Sequence, residues 1–395
     1  MNNVFGLRSA SDKVVSDVKT STVDVPVEET LDSEASKQSV PLYTISYQDK
    51  DGESVGSVLL VGDERLPDDK KIIALSANNA ELDLSSRSDA DFLSDRIEGY
   101  LFYKINHPEL NTSELDHNNT DAIQLRTVPV SQSGPTWSPL WVLRGWSSRP
   151  FNRYSPYLID TPSNFASVPG VALVMGEIMA FHKWPTTGTF KRYSYSGGTS
   201  TLQTVTVSYS LSTSDYNSIA AGTYDYYNCS SAVTDYISNL LIEIGYRLNT
   251  AYSTVNSTAL PSDAPAVFQA MGFYSTSLYS YNSDSVYVNV ANRNLPVFLS
   301  AKSYGASRIH SYMISKVGVS SGSVYYYTQY ANNTDATDAW FLEEIFSDPS
   351  TFNALDIDRY FPFIYECNII TSIRKNPNIS GCTNANWRVR STNPY

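Results

Sequence analysis

The chain contains 395 residues, which is enough for two or three domains, each with its own hydrophobic interior. Its formal net charge is -12, and the basic residues look scattered along it. We therefore exclude a nucleic-acid-binding protein, because binding to phosphates needs a surplus of lysine and arginine on one surface. No stretch of about 18 apolar residues occurs, so the sequence predicts no transmembrane segment.

Three cysteines, Cys229, Cys367 and Cys382, lie far apart in the sequence. They fit neither a disulfide framework nor a zinc site, since both need more ligands at tighter spacing. We expect free or buried thiols, with one disulfide as the alternative. We also expect no metal and no cofactor.

The first seven residues lack the long apolar core of a signal peptide. The protein is therefore either intracellular, or its leader is absent from this sequence. The second half is rich in Tyr, Ser, Thr and Asn, and the chain holds 29 tyrosines, a composition that resembles exported bacterial proteins. We expect an extracellular or surface-attached protein rather than a cytoplasmic one.

The N-terminal part predicts a flexible segment followed by a small α+β domain. Residues 1–39 show no sustained apolar period, which predicts a flexible lead-in. From residue 40 the pattern predicts a hairpin of strands 42–47 and 57–61, a third strand at 72–76 and a helix near 89–105.

The second half of the chain predicts helices first and strands afterwards. Helices are predicted over the segment 167–185 and at 233–251 and 264–272. Five strands follow, and they are predicted at 295–300, 311–314, 323–327, 340–342 and 366–373. This order is typical of a helical lobe packed against an antiparallel β lobe.

The helix in the segment 167–185 carries its own start and stop signals. Ser167 is the predicted N-cap, and Pro169 suits the first turn. Apolar residues recur at helical spacing from Val171 to Ile178, so one face is predicted to pack inward. An ordinary buried helix would show the same pattern.

Residues 167–185 nevertheless resemble the active-site helix of the streptopain (C10) family of papain-like cysteine peptidases. That family runs from Thr-Gly-Cys-Val-Ala through Ala-Gln-Ile-Met to Tyr-His-Lys-Tyr-Pro. Aligning Ile178-Met179 and the four residues 182–185 without gaps places Gly170 at the position of the catalytic cysteine. A glycine has no nucleophilic atom, so the resemblance implies a site that lacks its first requirement.

The resemblance also implies the domain organisation and the fold class. Residues 40–130 resemble the propeptide, or propeptide-like inhibitor domain, of the family. Residues 62–65 match the Gly-Asp-x-Arg part of the family's Val-x-Gly-Asp-x-Arg turn. An unrelated small α+β domain is the alternative for this block. The implied organisation is a lead-in over 1–39, a propeptide-like domain over 40–130 and a two-lobed papain-like α+β domain over 131–395.

The remaining catalytic positions follow from the same alignment. His310 occupies the position of the family's histidine, but the two preceding glycines have become Arg308 and Ile309. Ser148 replaces the oxyanion glutamine. Asn332 or Asn333 could replace the amide that orients the histidine only by a register shift. Each such loss lowers a catalytic rate by roughly two to four orders of magnitude.

Two polar residues near the helix receive structural interpretations. Ser155 precedes Pro156 in a turn and has no helix N-terminus to activate it, so we interpret it as a turn residue rather than a substitute nucleophile. His182 matches a family position that is not catalytic. We interpret it as a packed or capping residue near the helix end.

The sequence therefore predicts a catalytically inactive relative of these peptidases. We expect it to bind a peptide, a glycan or a protein in the former active-site cleft. The alternative is an active endopeptidase with a displaced nucleophile. A carbohydrate-active enzyme using Asp356 and Asp358 is a third class, although nothing marks this pair as more than a solvated turn.

Overall fold

The computed structural model describes residues 13–26, 37–76, 82, 91–106, 152–156, 165–220, 230–253, 257–302, 309–320, 323–330, 339–346, 367–380, 382 and 387–389. The helices within this part of the chain are α1 (Asp91–Asn106), α2 (Gly170–Phe181), α3 (Thr213–Ala220), α4 (Ser231–Arg247), α5 (Ala264–Ala270) and α6 (Ser283–Tyr287). A π-helix, Val288–Asn292, continues α6.

The strands of the N-terminal and middle parts are β1 (Lys13–Pro26), β2 (Lys37–Asp49), β3 (Ser54–Val61), β4 (Ile72–Ser76), β5 (Thr187–Ser196), β6 (Thr199–Ser208), β7 (Phe273–Tyr274) and β8 (Tyr279–Ser280). The C-terminal strands are β9 (Val297–Lys302), β10 (Ile309–Ser320), β11 (Ser323–Tyr330), β12 (Ala339–Leu342), β13 (Cys367–Ile370) and β14 (Arg374–Lys375).

Ten strands form one antiparallel sheet in the order β1-β2-β3-β4-β12-β11-β10-β9-β13-β8. Strands β4 and β12 join its N-terminal and C-terminal parts, with Leu75 opposite Trp340 and Ala74 opposite Phe341. All four side chains are buried. The predicted N-terminal domain and the predicted β lobe therefore share one sheet.

The segment 13–26 departs from the prediction of a flexible lead-in over residues 1–39. It forms strand β1, which pairs with β2 along its whole length. Val23 and Val25 contact the core, but most of β1 is exposed. Backbone hydrogen bonds to β2 stabilise this strand more than an apolar face does, so a search for hydrophobic periodicity misses it.

The other predicted elements are present in the structure. The predicted strand at 72–76 is β4, the predicted hairpin is β2 and β3, and the predicted helix near 89–105 is α1. In the second half, the predicted helices are α2, α4 and α5, and the five predicted strands are β9 to β13. The hairpin of β5 and β6, which packs against α4, was not predicted.

The sheet separates two hydrophobic cores. One core contains α1 and the sheet side chains Leu299 and Tyr312, whereas the other contains α2, α4 and α5 with Phe298 and Met313. Successive side chains of a strand point to opposite faces. Phe298 and Met313 therefore mark the face of β9 and β10 that looks towards α2.

Helix α2 lies at the centre of the second core. Residues 171–180 are all buried, and the helix packs against β9, β10 and α4. A helix that is apolar on all sides is typical of a protein interior. The predicted helix is confirmed, but Ser167 is not its N-cap, because Pro169 occupies that position in an extended conformation and no side chain caps the helix.

Candidate functional site

The amino end of α2 is held by a short segment that precedes it in the chain. The amide oxygen Oδ1 of Asn152 accepts a hydrogen bond of 3.1 Å from the backbone N–H of Val168. The buried Ser155 hydroxyl lies 2.7 Å from the carbonyl oxygens of both Asn152 and Ala166. The interpretation of Ser155 as a structural turn residue agrees with these contacts.

A second segment holds the amino end of α2 from the other side. The backbone N–H of Ser167 donates to the carbonyl oxygen of Ser253 at 3.0 Å, and the N–H of Ser257 donates to the Ser167 hydroxyl at 3.2 Å. The Ser167 hydroxyl therefore serves this loop instead of capping the helix. Gly170 is the first residue of α2 and is partly buried.

His310 is the second residue of β10 and lies opposite Ala301 of β9. Its side chain is 8% exposed. Ala301 and Tyr312 belong to the core that contains α1, and Met313 belongs to the core that contains α2. Strand alternation therefore places His310 on the face of the sheet that looks away from α2.

The residue of β10 that occupies the α2 face at this level is Ser311. It is buried, and its hydroxyl has no hydrogen-bond partner among the described residues. Sequence reasoning did not single it out, although its place directly after His310 puts it on the opposite face of the strand. Helix α2 therefore packs against the face of β10 opposite the one to which strand alternation assigns His310.

His182 is the C-cap residue of α2, as its interpretation near the helix end anticipated. Its Nε2 lies 3.0 Å from the carbonyl oxygen of Ile373, and its ring makes edge contacts with Phe181 and Phe273. Burial lowers the pKa of His182 from its ordinary value of 6.5 to about 4. The ring is therefore neutral at pH 7 and ties α2 to the segment after β13.

A buried ion pair lies on α4, the helix that packs against α2. Arg247 Nε lies 2.6 Å from Glu243 Oε1 one turn apart on α4, and both side chains are fully buried. The backbone N–H of Lys191 donates to Glu243 Oε2, and Arg247 Nη2 lies 3.3 Å from the sulfur of Cys382. Burial raises the pKa of Glu243, and the contacts with Arg247 and Lys191 oppose that rise.

Residues 146–339 match the family model of the peptidase C10 family. This segment is therefore similar to the C10 peptidases. It contains both Gly170 and His310. Comparison with curated proteins gave no match.

Two solved structures of C10-like proteins are similar to this chain. A cysteine-to-alanine variant of a prointerpain A fragment from Prevotella intermedia is 12% identical, with a TM-score of 0.53, and the match covers 89% of this chain and 98% of that one. Active wild-type interpain A, a cysteine protease of the same organism, is 14% identical over 60% of this chain and 94% of that one, with a TM-score of 0.41. The first match shows the fold.

The α+β papain-like class and the resemblance to the C10 family are confirmed. The segment 107–150, which contains the predicted boundary near residue 131, lies outside the described residues. The domain boundaries therefore stay predictions. Two predicted C10 site positions, Ser148 and Asn332, also lie outside the described residues.

The described part of this C10 relative offers no exposed thiol. Cys367 and Cys382 are both 1% exposed, and Cys229 lies outside the described residues. Burial raises the pKa of the Cys382 thiol to about 11, so it stays protonated and unreactive at pH 7. The described residues contain no group of three His, Cys, Asp or Glu side chains that could hold a metal ion, and none of their helices is long and apolar enough to cross a membrane.

Proposed function

We propose that this chain is a catalytically inactive member of the C10 group that binds a peptide, glycan or protein partner outside the cell or at its surface. The observation that carries the proposal is Gly170 at the first position of α2. A thiol peptidase depends on a thiolate at such a helix N-terminus, where the helix dipole and a nearby histidine lower the thiol pKa. Glycine supplies no atom for this role.

The position of the histidine departs from the arrangement that the alignment implies, in which His310 faces Gly170. In a Cys-His mechanism the base must lie within hydrogen-bond reach of the nucleophile. His310 shares a face of β10 with Tyr312, so strand alternation assigns it to the face of the sheet that looks away from α2. Both halves of the catalytic pair are therefore unsuited to acyl transfer.

The hydroxyls near the start of α2 are already engaged in structural hydrogen bonds. Ser155 contacts two carbonyl oxygens, and the Ser167 hydroxyl accepts from the backbone N–H of Ser257. A serine nucleophile needs a base in contact with its hydroxyl proton. Neither serine has such a base in contact with it among the described residues, which weighs against the alternative of a displaced nucleophile.

Two activity measurements test the loss of catalysis. Wild-type protein is incubated at pH 7 with fluorescently labelled casein and, separately, with thiol-directed and serine-directed activity probes, beside an active C10 peptidase as positive control. We expect no casein cleavage and no labelling of the native protein. Casein cleavage together with labelling of a residue next to Gly170 or His310 would establish the active endopeptidase instead.

A binding measurement tests the partner role of the former cleft. Arrays of peptides and glycans are screened with wild-type protein and with Gly170→Trp, which places a large side chain at the start of α2. We expect a class of ligands that binds the wild type and loses affinity for the variant. Equal binding of every ligand to both proteins, with matching thermal stability, would remove the cleft from the proposal.

A further inference from the structure

The charge of the chain is distributed unevenly, contrary to the scattered pattern expected from the sequence. Residues 367–395 contain four arginines and lysines and no aspartate or glutamate. The net charge of the chain is -12, so the remaining residues carry -12 minus +4, which is -16. A local basic region within a strongly acidic chain is a signal of an anionic partner.

Four exposed cations, which we call the basic surface, are Lys183, Arg293, Arg374 and Lys375. Lys375 lies on the Trp184 side of strand β14, and Arg374 lies on its Tyr274 side. Arg374 and Lys375 are strand β14, which pairs with β7. The Lys375 ammonium lies 4.1 Å from the ring centre of Trp184, the residue that follows Lys183. Arg293 Nη1 lies 3.0 Å from the hydroxyl of Ser372, two residues before Arg374.

No carboxylate neutralises the basic surface among the described residues. Other cations of the chain, such as Arg65 and Lys70, are paired with carboxylates within 3 Å, but none of these four forms an ion pair within the described ranges. Aromatic rings lie against Lys183, Arg374 and Lys375 instead. A cation beside an aromatic face is held in place while its full positive charge is retained.

The aromatic side chains of the basic surface also offer a face to a ligand. Tyr274 lies opposite Arg374 in the pair of β7 and β14, is 44% exposed, and has its ring centre 5.7 Å from the Arg374 guanidinium. Exposed tyrosine provides a large rigid contact area at low conformational cost. A sugar ring presents a flat C–H face that fits against such a side chain.

We propose that the basic surface binds an anionic polysaccharide that carries sulfate or carboxylate groups. The cations pair with the anionic groups, and Tyr274 stacks on a sugar ring between them. The charge of -16 on the rest of the chain repels broad anionic bodies such as a nucleic-acid duplex or a membrane. A single flexible polysaccharide strand avoids that repulsion because it follows only the basic surface.

The basic surface is separate from the former cleft. Gly170 lies at the amino end of α2 and Lys183 just beyond its carboxyl end. A helix of 12 residues is about 18 Å long, so the two regions lie at opposite ends of α2. The inference therefore goes beyond the proposed loss of catalysis and stands or falls independently of it.

The test measures binding of fluorescein-labelled heparin, used as the sulfated probe, by anisotropy at pH 7.5 and about 0.1 M salt, where the Debye length is about 10 Å. The wild type is compared with Arg374→Gln/Lys375→Gln. The matched control is Lys37→Gln/Lys50→Gln, which removes two exposed cations from the N-terminal half. Arg293→Gln is a second, single-residue test in case the double variant is less stable.

We expect heparin to bind the wild type with an affinity that falls as salt rises. The Arg374→Gln/Lys375→Gln variant is expected to weaken binding by at least about tenfold, because each cation near an anionic surface raises the affinity several-fold. Arg293→Gln should weaken it several-fold, and the control should match the wild type. Absence of binding, equal loss in the control, or equally tight binding of duplex DNA or polyglutamate would overturn the proposal.

The result of the heparin assay can be interpreted separately from the result of the casein assay. Heparin binding together with casein cleavage would overturn the proposed loss of catalysis and leave the basic surface supported. Lack of heparin binding with no cleavage would remove the basic surface alone.

Discussion

The buried neutral His182 predicts a specific loss of stability in acid. Its pKa is about 4 in the folded protein, against an ordinary value of 6.5. The folded protein therefore binds this proton less tightly than the unfolded chain does. The stabilisation is complete above pH 6.5 and is lost as the pH falls towards 4. Since a pKa difference of one corresponds to about 1.36 kcal/mol, the full loss is at most about 3 kcal/mol.

The assay is reversible urea unfolding, followed by tryptophan fluorescence at several pH values between 7 and 4, for wild type and His182→Gln. Glutamine keeps an N–H that can donate to the Ile373 carbonyl oxygen but does not titrate. Carboxylates contribute equally to both proteins, so the difference between the two curves isolates the histidine. We expect the wild type to lose about 3 kcal/mol more than the variant over this range. A difference that stays constant with pH would refute the reasoning.

Three further predictions concern the cleft, the buried ion pair and the shared sheet. Gly170→Cys should gain a thiol that iodoacetamide alkylates in the native state but should not cleave casein, because His310 lies on the other face of β10; casein cleavage would contradict that placement. Arg247→Met should lower the free energy of unfolding by about 3–5 kcal/mol, because Glu243 loses its buried partner, and Glu243→Gln in the same chain should recover part of the loss in urea titrations. Phe341→Ala should cost about 3–5 kcal/mol and lower one thermal transition seen by both fluorescence and circular dichroism; two separate transitions would show that the parts joined at β4 and β12 unfold independently.

Much of the fold was predictable because it depends on local patterns. Strand β4 was predicted at its observed bounds, since a short apolar run between polar segments is a strong local signal. Helix α4 was also predicted, although its start lies two residues before the predicted one. Helix ends depend on capping contacts, so their limits are less evident than their existence.

The features that were not predicted depend on contacts between distant parts of the chain. Strand β1 gains its order from β2, and the pairing of Leu75 with Trp340 joins segments far apart in sequence. The Ser167 hydroxyl does not cap α2 as predicted, because it accepts a hydrogen bond from the backbone N–H of Ser257. No local pattern encodes these partners.

The candidate site likewise combines a feature that the sequence predicted with features that it did not. The alignment placed Gly170 at the start of α2, and the structure begins the helix at that residue. The same alignment could not give the direction of the His310 side chain, because a strand's facing depends on its register with β9 and on what packs against each side. The interpretation of the basic residues as scattered missed the charge concentration at the C-terminal end, where β14 pairs with β7.

The junction of β4 and β12 has a practical consequence for anyone who shortens this protein. A version that starts at residue 146, where the family segment begins, loses β4. Strand β12, which carries Trp340 and Phe341, then becomes an edge strand that pairs only with β11. Exposed apolar strand edges recruit other chains. We expect the truncated protein to aggregate during purification. Light scattering of the truncated and untruncated proteins at equal concentration would detect the difference.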